Sequence, residues 1–205
     1  MKGKLIMSTE LIRKIREMTG AGIMDCKNAL EEANNDIDKA CRWLREKGVS
    51  TAVKKSGRCA RQGLVYSYIH GNGMLGVLIE VNCETDFVAK TIDFYNLVKE
   101  IAMQIAATAP AYISRDQVPK SVIESEKEIY KIQLKKECRP EKVFDKIING
   151  KVEKFYSQTC LYDQVYIRDI YGKETIKDLI TNAIARIGEN IIVKRFSRFR
   201  LGEEE

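Results

Sequence analysis

The sequence predicts an α+β protein: a three-helix N-terminal domain over residues 1–50, a basic linker over 51–62, and an α+β core over 63–205 with a small antiparallel sheet and a helical hairpin at about 120–156. Three observations predict it. Apolar residues recur at helical spacing three times before Gly48. A β-branched and aromatic run, a Gly-Asn-Gly turn and an alternating run then follow one another, the signature of a hairpin. After a long stretch of helical pattern, the run Ile191-Ile192-Val193-Lys194-Arg195-Phe196 is available to rejoin that hairpin. Strands, then helices, then a returning strand suit a sheet with its helices gathered on one face.

The elements follow in order. Leu11, Ile15 and Met18 fall at i, i+4 and i+7, Cys26, Ala29, Leu30 and Ala33 at i, i+3, i+4 and i+7, and Ile37, Ala40, Cys41 and Leu44 repeat that pattern. Each set is one buried helical face. Thr19-Gly20-Ala21-Gly22 stops the first helix, Asn34-Asn35-Asp36 separates the second from the third with good capping chemistry, and Gly48 suits a stop for the third. From Arg45 to Arg61, Lys47, Lys54, Lys55 and Arg58 are opposed only by Glu46, which reads as a mobile, solvated linker. Leu64–Ile69 and Leu75–Val81 form the hairpin around Gly71-Asn72-Gly73. Beyond Asp86 one long helix is signalled by Phe94, Leu97, Val98, Ile101 and Ile105, ending near Pro110. Residues 120–138 and 141–156, joined at Arg139-Pro140, carry narrow stripes: Val122, Ile129 and Ile132 on one, Phe144, Ile148, Val152 and Phe155 on the other. They suit an antiparallel helical hairpin standing partly in solvent. Thr175 caps a last helix that runs through Ile187.

Composition narrows the function. The chain has 205 residues, 35 Lys+Arg, 29 Asp+Glu and a formal net charge of +6. Residues 1–62 hold 14 basic and 8 acidic side chains, and the remainder holds 21 of each. The whole excess sits in the first third, which argues against a surface that coats nucleic acid uniformly. Cys26, Cys41, Cys59, Cys83, Cys138 and Cys160 contain no C-x-x-C spacing, and His70 is the one histidine, so reduced thiols in a cytoplasmic protein are expected rather than a disulfide framework or a metal site. No run of about 20 apolar residues is present for a membrane span.

No enzyme signature survives, and no cofactor or catalytic residue is expected. Gly20-Ala21-Gly22 follows a helix where a dinucleotide fingerprint needs a strand, and no Lys-Ser/Thr follows as in a phosphate loop. His70 falls at a hairpin end with no nucleophile or acid in register. The unusual segment is Asn82-Cys83-Glu84-Thr85-Asp86-Phe87-Val88-Ala89, directly after a buried strand. Thr85 or Asp86 can cap a helix there, and Phe87 is then either a core residue or an apolar wedge beside a carboxylate, aimed at a partner.

Met18-Thr19-Gly20-Ala21-Gly22-Ile23-Met24-Asp25-Cys26-Lys27-Asn28-Ala29-Leu30 and Val81-Asn82-Cys83-Glu84-Thr85-Asp86-Phe87-Val88-Ala89 closely resemble the two signature segments of the bacterial elongation factor Ts family. The likeness continues through Tyr68–Gly73, Glu100–Met103, Lys154–Tyr156 and Gly188-Glu189-Asn190-Ile191, leaving residues 1–6 as an added leader or an upstream start before Met7. It implies a ubiquitin-associated-like N-terminal domain and, for function, a nucleotide exchange factor for the GTPase elongation factor Tu. It further implies that Thr85, Asp86, Phe87 and Val88 form a wedge that displaces Mg²⁺-coordinating structure, while Ile23 and Met24 grip the nucleotide-binding domain. The core would bind a separate part of the GTPase, with no direct nucleic acid and no membrane contact. The chain resembles the short form of the family, which implies a homodimer and a two-to-two complex. Gln104 stands where many members have histidine, which questions any contact that needs an imidazole, and Val165-Tyr166 replaces a common Pro-Phe. A ubiquitin-binding module would leave the Thr-Asp-Phe-Val segment and the core unexplained. A basic RNA-binding protein would show salt-dependent RNA affinity without any effect on GDP release.

Overall fold

A computed structural model of the chain describes residues 9–137 and 140–203. Cys138, the Arg139 half of the expected hairpin join and the leader segment 1–6 lie outside the described residues. Among those described, eight α-helices and a three-stranded antiparallel sheet make an α+β fold. Contacts divide the chain into two compact units. The first holds the described residues to Leu64 with Val81–Leu97 and Ile180–Ile192; the second holds Val65–Glu80, Val98–Leu179 and the described residues from Val193.

In the first unit, α1 (Thr9–Thr19), α2 (Ile23–Glu32) and α3 (Ile37–Lys55) enclose Ile15, Cys26, Ala29, Leu30, Ala33 and Ala40, with Leu11, Ile37, Trp43 and Leu44 packed against them. Met18 departs from the expected stripe and is exposed. At the α1–α2 turn Gly20 takes φ +66°, and Asn34 and Asn35 take φ 51° and 64° before Asp36, whose carboxylate accepts the Lys39 N–H at 3.0 Å and caps α3.

The third helix differs from expectation. It passes through Gly48 to Lys55, so the linker expected over 51–62 begins inside a helix. Gly48 is a packing glycine, not a stop: a Cβ there would lie 3.3 Å from the Ala185 Cβ. Nor is the basic stretch uniformly solvated, because Lys47 pairs with Asp25 at 2.6 Å, Arg58 with Glu84 at 3.6 Å, and Lys55 donates to the Gly188 carbonyl. Positive side chains near the end of a helix also meet the negative end of its dipole, which favours helix over linker for Lys54 and Lys55.

The strands β1 (Gln62–His70), β2 (Leu75–Cys83) and β3 (Ile192–Arg200) pair in the order β1-β2-β3. Gly71, Asn72 and Gly73, at φ 60°, 56° and 92°, make the hairpin turn as expected. Along β2, Val77, Ile79, Val81 and Cys83 are buried and alternate with Leu78 and Glu80, so the sheet has one covered and one open face. Within the second unit the open face carries Val65, Ile69 and Leu78, all exposed. Ile69 belongs there because its Cδ1 lies 3.2 Å from where a Cβ of Gly76 would stand. Arg195 pairs with Glu80 at 2.7 Å on this face, and the strand period places exposed Phe199 there too.

After β2 comes a single turn, α4 (Asp86–Ala89), then α5 (Ile92–Thr108). The one long helix expected here is two, because the Thr91 hydroxyl donates to the Val88 carbonyl at 2.8 Å, closing α4, and accepts the Phe94 N–H at 3.3 Å, opening α5. The hairpin is α6 (Lys120–Lys136) against α7 (Phe144–Thr159), packed through Leu134, Ile148 and Val152 with Ile123, Tyr130, Phe144, Ile147 and Tyr156. The α7 stripe is as expected at Phe144, Ile148 and Val152, but Ile129 and Ile132 of α6 face outward. Arg115 ties α7 down, reaching both Glu153 oxygens at 3.0 and 2.8 Å and Asp163 at 2.8 Å. Finally α8 (Ile176–Ile187) starts on Thr175, whose hydroxyl accepts the Asp178 N–H at 3.1 Å while Asp178 accepts the Thr175 N–H at 3.1 Å.

Candidate functional site

The buried end of β2 delivers the chain to a corner. Cys83 is fully buried, Glu84 is half-buried, and Thr85, Asp86 and Phe87 are exposed. Thr85 has extended backbone, and its hydroxyl oxygen accepts the Val88 N–H at 3.4 Å, which makes it the cap of α4. The sequence left Thr85 and Asp86 open for that role; Thr85 takes it.

The corner is held by two carboxylates that reach across to the end of α8. Glu189 Oε2 accepts the N–H groups of Glu84 and Thr85, each at 3.0 Å, and Glu189 Oε1 accepts the Thr85 hydroxyl at 2.6 Å. In return Glu84 Oε1 accepts the Asn190 N–H at 2.7 Å. Asn190 is only 3% exposed, and its Nδ2 donates to the Arg58 carbonyl at 2.8 Å and the Ser56 carbonyl at 3.4 Å. Charged acceptors on backbone donors make the strongest class of hydrogen bond, so this lattice fixes the corner well. Beneath it the Cys83 thiol donates to the Thr85 carbonyl at 3.1 Å, and burial, aided by the nearby Glu189 charge, pushes that thiol up to about 11. Cys83 is a structural thiol, not a nucleophile.

On this base α4 displays its side chains. Phe87 is 79% exposed, which excludes the core reading of that ring. Asp86 accepts from Lys90 at 2.7 Å, and that hydrogen bond holds its carboxyl below the usual range. Val88 is half-buried, and Ile92 one turn on is exposed. Ile23 and Met24, in the first turn of α2, are 56% and 63% exposed, so neither is a core residue. The structure thus brings Thr85, Asp86, Phe87 and Val88 together on one corner, with Ile23 and Met24 on a separate element of the same unit. It also adds Glu84, Glu189 and Asn190, which residue-by-residue reading of the sequence passed over. The signal available was a Glu-Asn pair between a helix-ending glycine, Gly188 at φ +87°, and the apolar run Ile191–Val193, in which Ile191 and Val193 are buried and a polar side chain nearby needs a partner.

Gln104 is fully buried in the second unit: its Nε2 donates to the Val165 carbonyl at 3.1 Å and its Oε1 accepts the Ile167 N–H at 2.9 Å. It supports the 165–167 segment from within and is not a contact residue. Tyr166, next to it, donates to Glu100 at 2.5 Å. Among the described residues no three His, Cys, Asp or Glu side chains are grouped as a metal would need, and no helix is long and apolar enough to cross a membrane.

A sequence profile of the family described as "Elongation factor TS" matches residues 6–203. The elongation factor Ts of Caldanaerobacter subterraneus subsp. tengcongensis is 56% identical over 198 residues, covering 97% of this chain and 98% of that protein. That of Thermotoga maritima is 54% identical over 197 residues, covering 96% and 97%, and that of Moorella thermoacetica 54% over 192 residues, covering 94% of each.

Proposed function

The chain belongs to the elongation factor Ts family, and on that premise we propose that it is a guanine nucleotide exchange factor for the GTPase elongation factor Tu, acting in translation elongation in the cytoplasm with no cofactor and no catalytic residue of its own. A GTPase of this kind holds GDP through a phosphate loop and a Mg²⁺ that bridges the nucleotide to switch segments. An exchange factor speeds release by binding the loosened state better than the GDP-bound one. By linkage, the factor by which it weakens GDP binding is the factor by which GDP weakens its own. A thousandfold effect requires about 4 kcal/mol of differential binding, and burying one phenylalanine ring supplies roughly 1.5–3 kcal/mol. Phe87 therefore needs a second grip, and the exposed pair Ile23 and Met24 supplies an apolar one.

The observation that carries this reading is Phe87 itself: a large apolar ring, 79% exposed, at the start of a helical turn whose entry is pinned by Glu189. A ring left in water on a rigid corner is a partner contact waiting to be covered. Asp86 beside it is an anion able to compete for Mg²⁺-bound or switch groups once Lys90 lets go. Phe87→Ala should slow the release of fluorescent GDP from elongation factor Tu by roughly tenfold to a hundredfold, and Asp86→Ala should slow it as well. Release as fast as with the unmodified factor in both variants would show the wedge reading to be wrong. We also infer a homodimer joined through the open sheet face of Val65, Ile69, Leu78 and Phe199, giving a two-to-two complex with the GTPase.

A further inference from the structure

We propose that Glu189 is the positioning residue of the exchange wedge, fixing the corner Glu84–Val88 from a segment whose neighbours Gly188 and Asn190 bond the end of α3, so that Phe87 and the N-terminal helices are presented to the GTPase as one piece. The proposal rests on reading Phe87 as the wedge. Its starting point is that α4 cannot hold itself. Four residues make one turn, an isolated turn is unfavourable, and none of the four is buried. The direction in which Phe87 points must therefore be set from outside the helix.

Among the described residues, the group that makes the most hydrogen bonds to its entry is the Glu189 side chain. The Glu189 carboxylate accepts two consecutive backbone N–H groups and the Thr85 hydroxyl. That third bond is the informative one. Thr85 Oγ1 donates its proton to Glu189 while accepting the Val88 N–H, so Glu189 selects the rotamer in which Thr85 can cap α4. The order of control runs from Glu189 to the Thr85 hydroxyl, to the Val88 N–H, to the turn that displays Phe87. Glu189 makes no hydrogen bond to Phe87 or Asp86 and acts through the corner's backbone and this cap.

The same three-residue segment also holds the other grip. Gly188 accepts from Lys55 at the last residue of α3, and Asn190 donates to the carbonyls of Ser56 and Arg58 just beyond it. Asn190 is in turn held by Glu84 on the wedge corner. Residues 188–190 thus bond to both the exit of the N-terminal helices and the entry of the wedge. A binder whose two contacts are held in place beforehand loses less freedom on binding, and the gain is realised only when both engage.

The test uses the full chain with Glu189→Ala, Glu189→Gln, Phe87→Ala and the Phe87→Ala/Glu189→Ala double variant. Glu189→Ala should speed amide hydrogen exchange at Glu84, Thr85 and Val88 by about tenfold or more, with protection in β2 and α8 kept, which reports a loosened corner in an intact fold. At saturating factor, the maximal rate of GDP release from elongation factor Tu should fall by about fivefold or more, and the concentration giving half that rate should change by less than about twofold. Glu189→Gln should restore part of the rate, since its single carbonyl oxygen can take the place of Oε2 and accept both N–H groups while the acceptor for the Thr85 hydroxyl is lost. In the Phe87→Ala background, Glu189→Ala should add no further loss. If Phe87→Ala slows release but Glu189→Ala does not, or if the two losses multiply, the positioning role is overturned while the wedge stands. Unchanged exchange at Thr85 in Glu189→Ala overturns it as well. If Phe87→Ala leaves release as fast as before, the wedge reading fails and this proposal falls with it.

Discussion

At Gly63 the first strand of the hairpin passes so close to the second that a methyl group has no room. A Cβ there would stand 2.1 Å from the Val81 carbonyl oxygen and 2.7 Å from the Asn82 Cα, and φ is +148°. Gly73, at the hairpin tip with φ +92°, has nothing within 4 Å of its missing Cβ. Gly63→Ala should therefore cost about 2–4 kcal/mol, strain and overpacking together, whereas Gly73→Ala should cost about 1 kcal/mol from backbone conformation alone. Urea midpoints at constant slope measure both, and equal losses would contradict the close approach. Sequence marks the two glycines alike, as residues flanking strands, and only the neighbouring strand distinguishes them. Gln104 carries a related lesson. Its type reads as a surface contact or a lost imidazole, but its donors and acceptors are taken up by Val165 and Ile167, and that placement depends on a segment some sixty residues later in the chain.

At the scale of elements, the apolar period finds a helix more readily than it finds which face is buried. On α6, Val122, Ile129 and Ile132 look like a stripe, yet Ile123, Tyr130 and Leu134 meet α7. The two sets are offset by about 130 degrees around the helix, and Tyr130, a residue with a polar tip, packs its ring in the interface beneath Lys151, 5.2 Å from the ring centre. Leu134→Ala should cost about 2–5 kcal/mol, as expected for a fully buried leucine. Ile132→Ala should stay within about 0.5 kcal/mol. Unfolding followed by far-ultraviolet circular dichroism reads both, and a reversed order would restore the stripe taken from sequence. Breaks and continuations were the least legible features. Gly48 resembles a stop but provides clearance for Ala185, and Thr91 resembles any exposed threonine but closes one helix and opens the next. Local chemistry permits either outcome at both positions, and a contact formed elsewhere decides. The Thr85 cap, the hairpin turn and the third strand were legible because each depends on residues adjacent in sequence or on strict alternation.

For the molecule as a whole, the net charge, gathered in the first third of the chain, reads from sequence as a solvated linker. The structure spends part of it on internal partners, in Lys47–Asp25, Arg58–Glu84 and the Lys55 bond to Gly188. Charge is thus a weak guide to partner class here, and exposed apolar surface is a better one. The open face of the sheet presents Val65, Ile69, Leu78 and Phe199 around the Glu80–Arg195 pair. A face of this kind suits a second copy of itself, because a two-fold axis sets the same apolar patch against itself, and the ion pair, already internally balanced, introduces no unmatched charge. The factor alone should then elute with twice the 23.4 kDa of one chain in size exclusion with light scattering, and mixing with elongation factor Tu should add one GTPase per copy. Leu78→Arg places a charge at the middle strand on the solvent side, where folding of the single chain tolerates it and a self-facing contact does not. That variant should elute at the mass of one chain with its circular dichroism spectrum unchanged. A wild-type chain that remains a monomer at tens of micromolar would refute the self-association and assign the face to the GTPase instead.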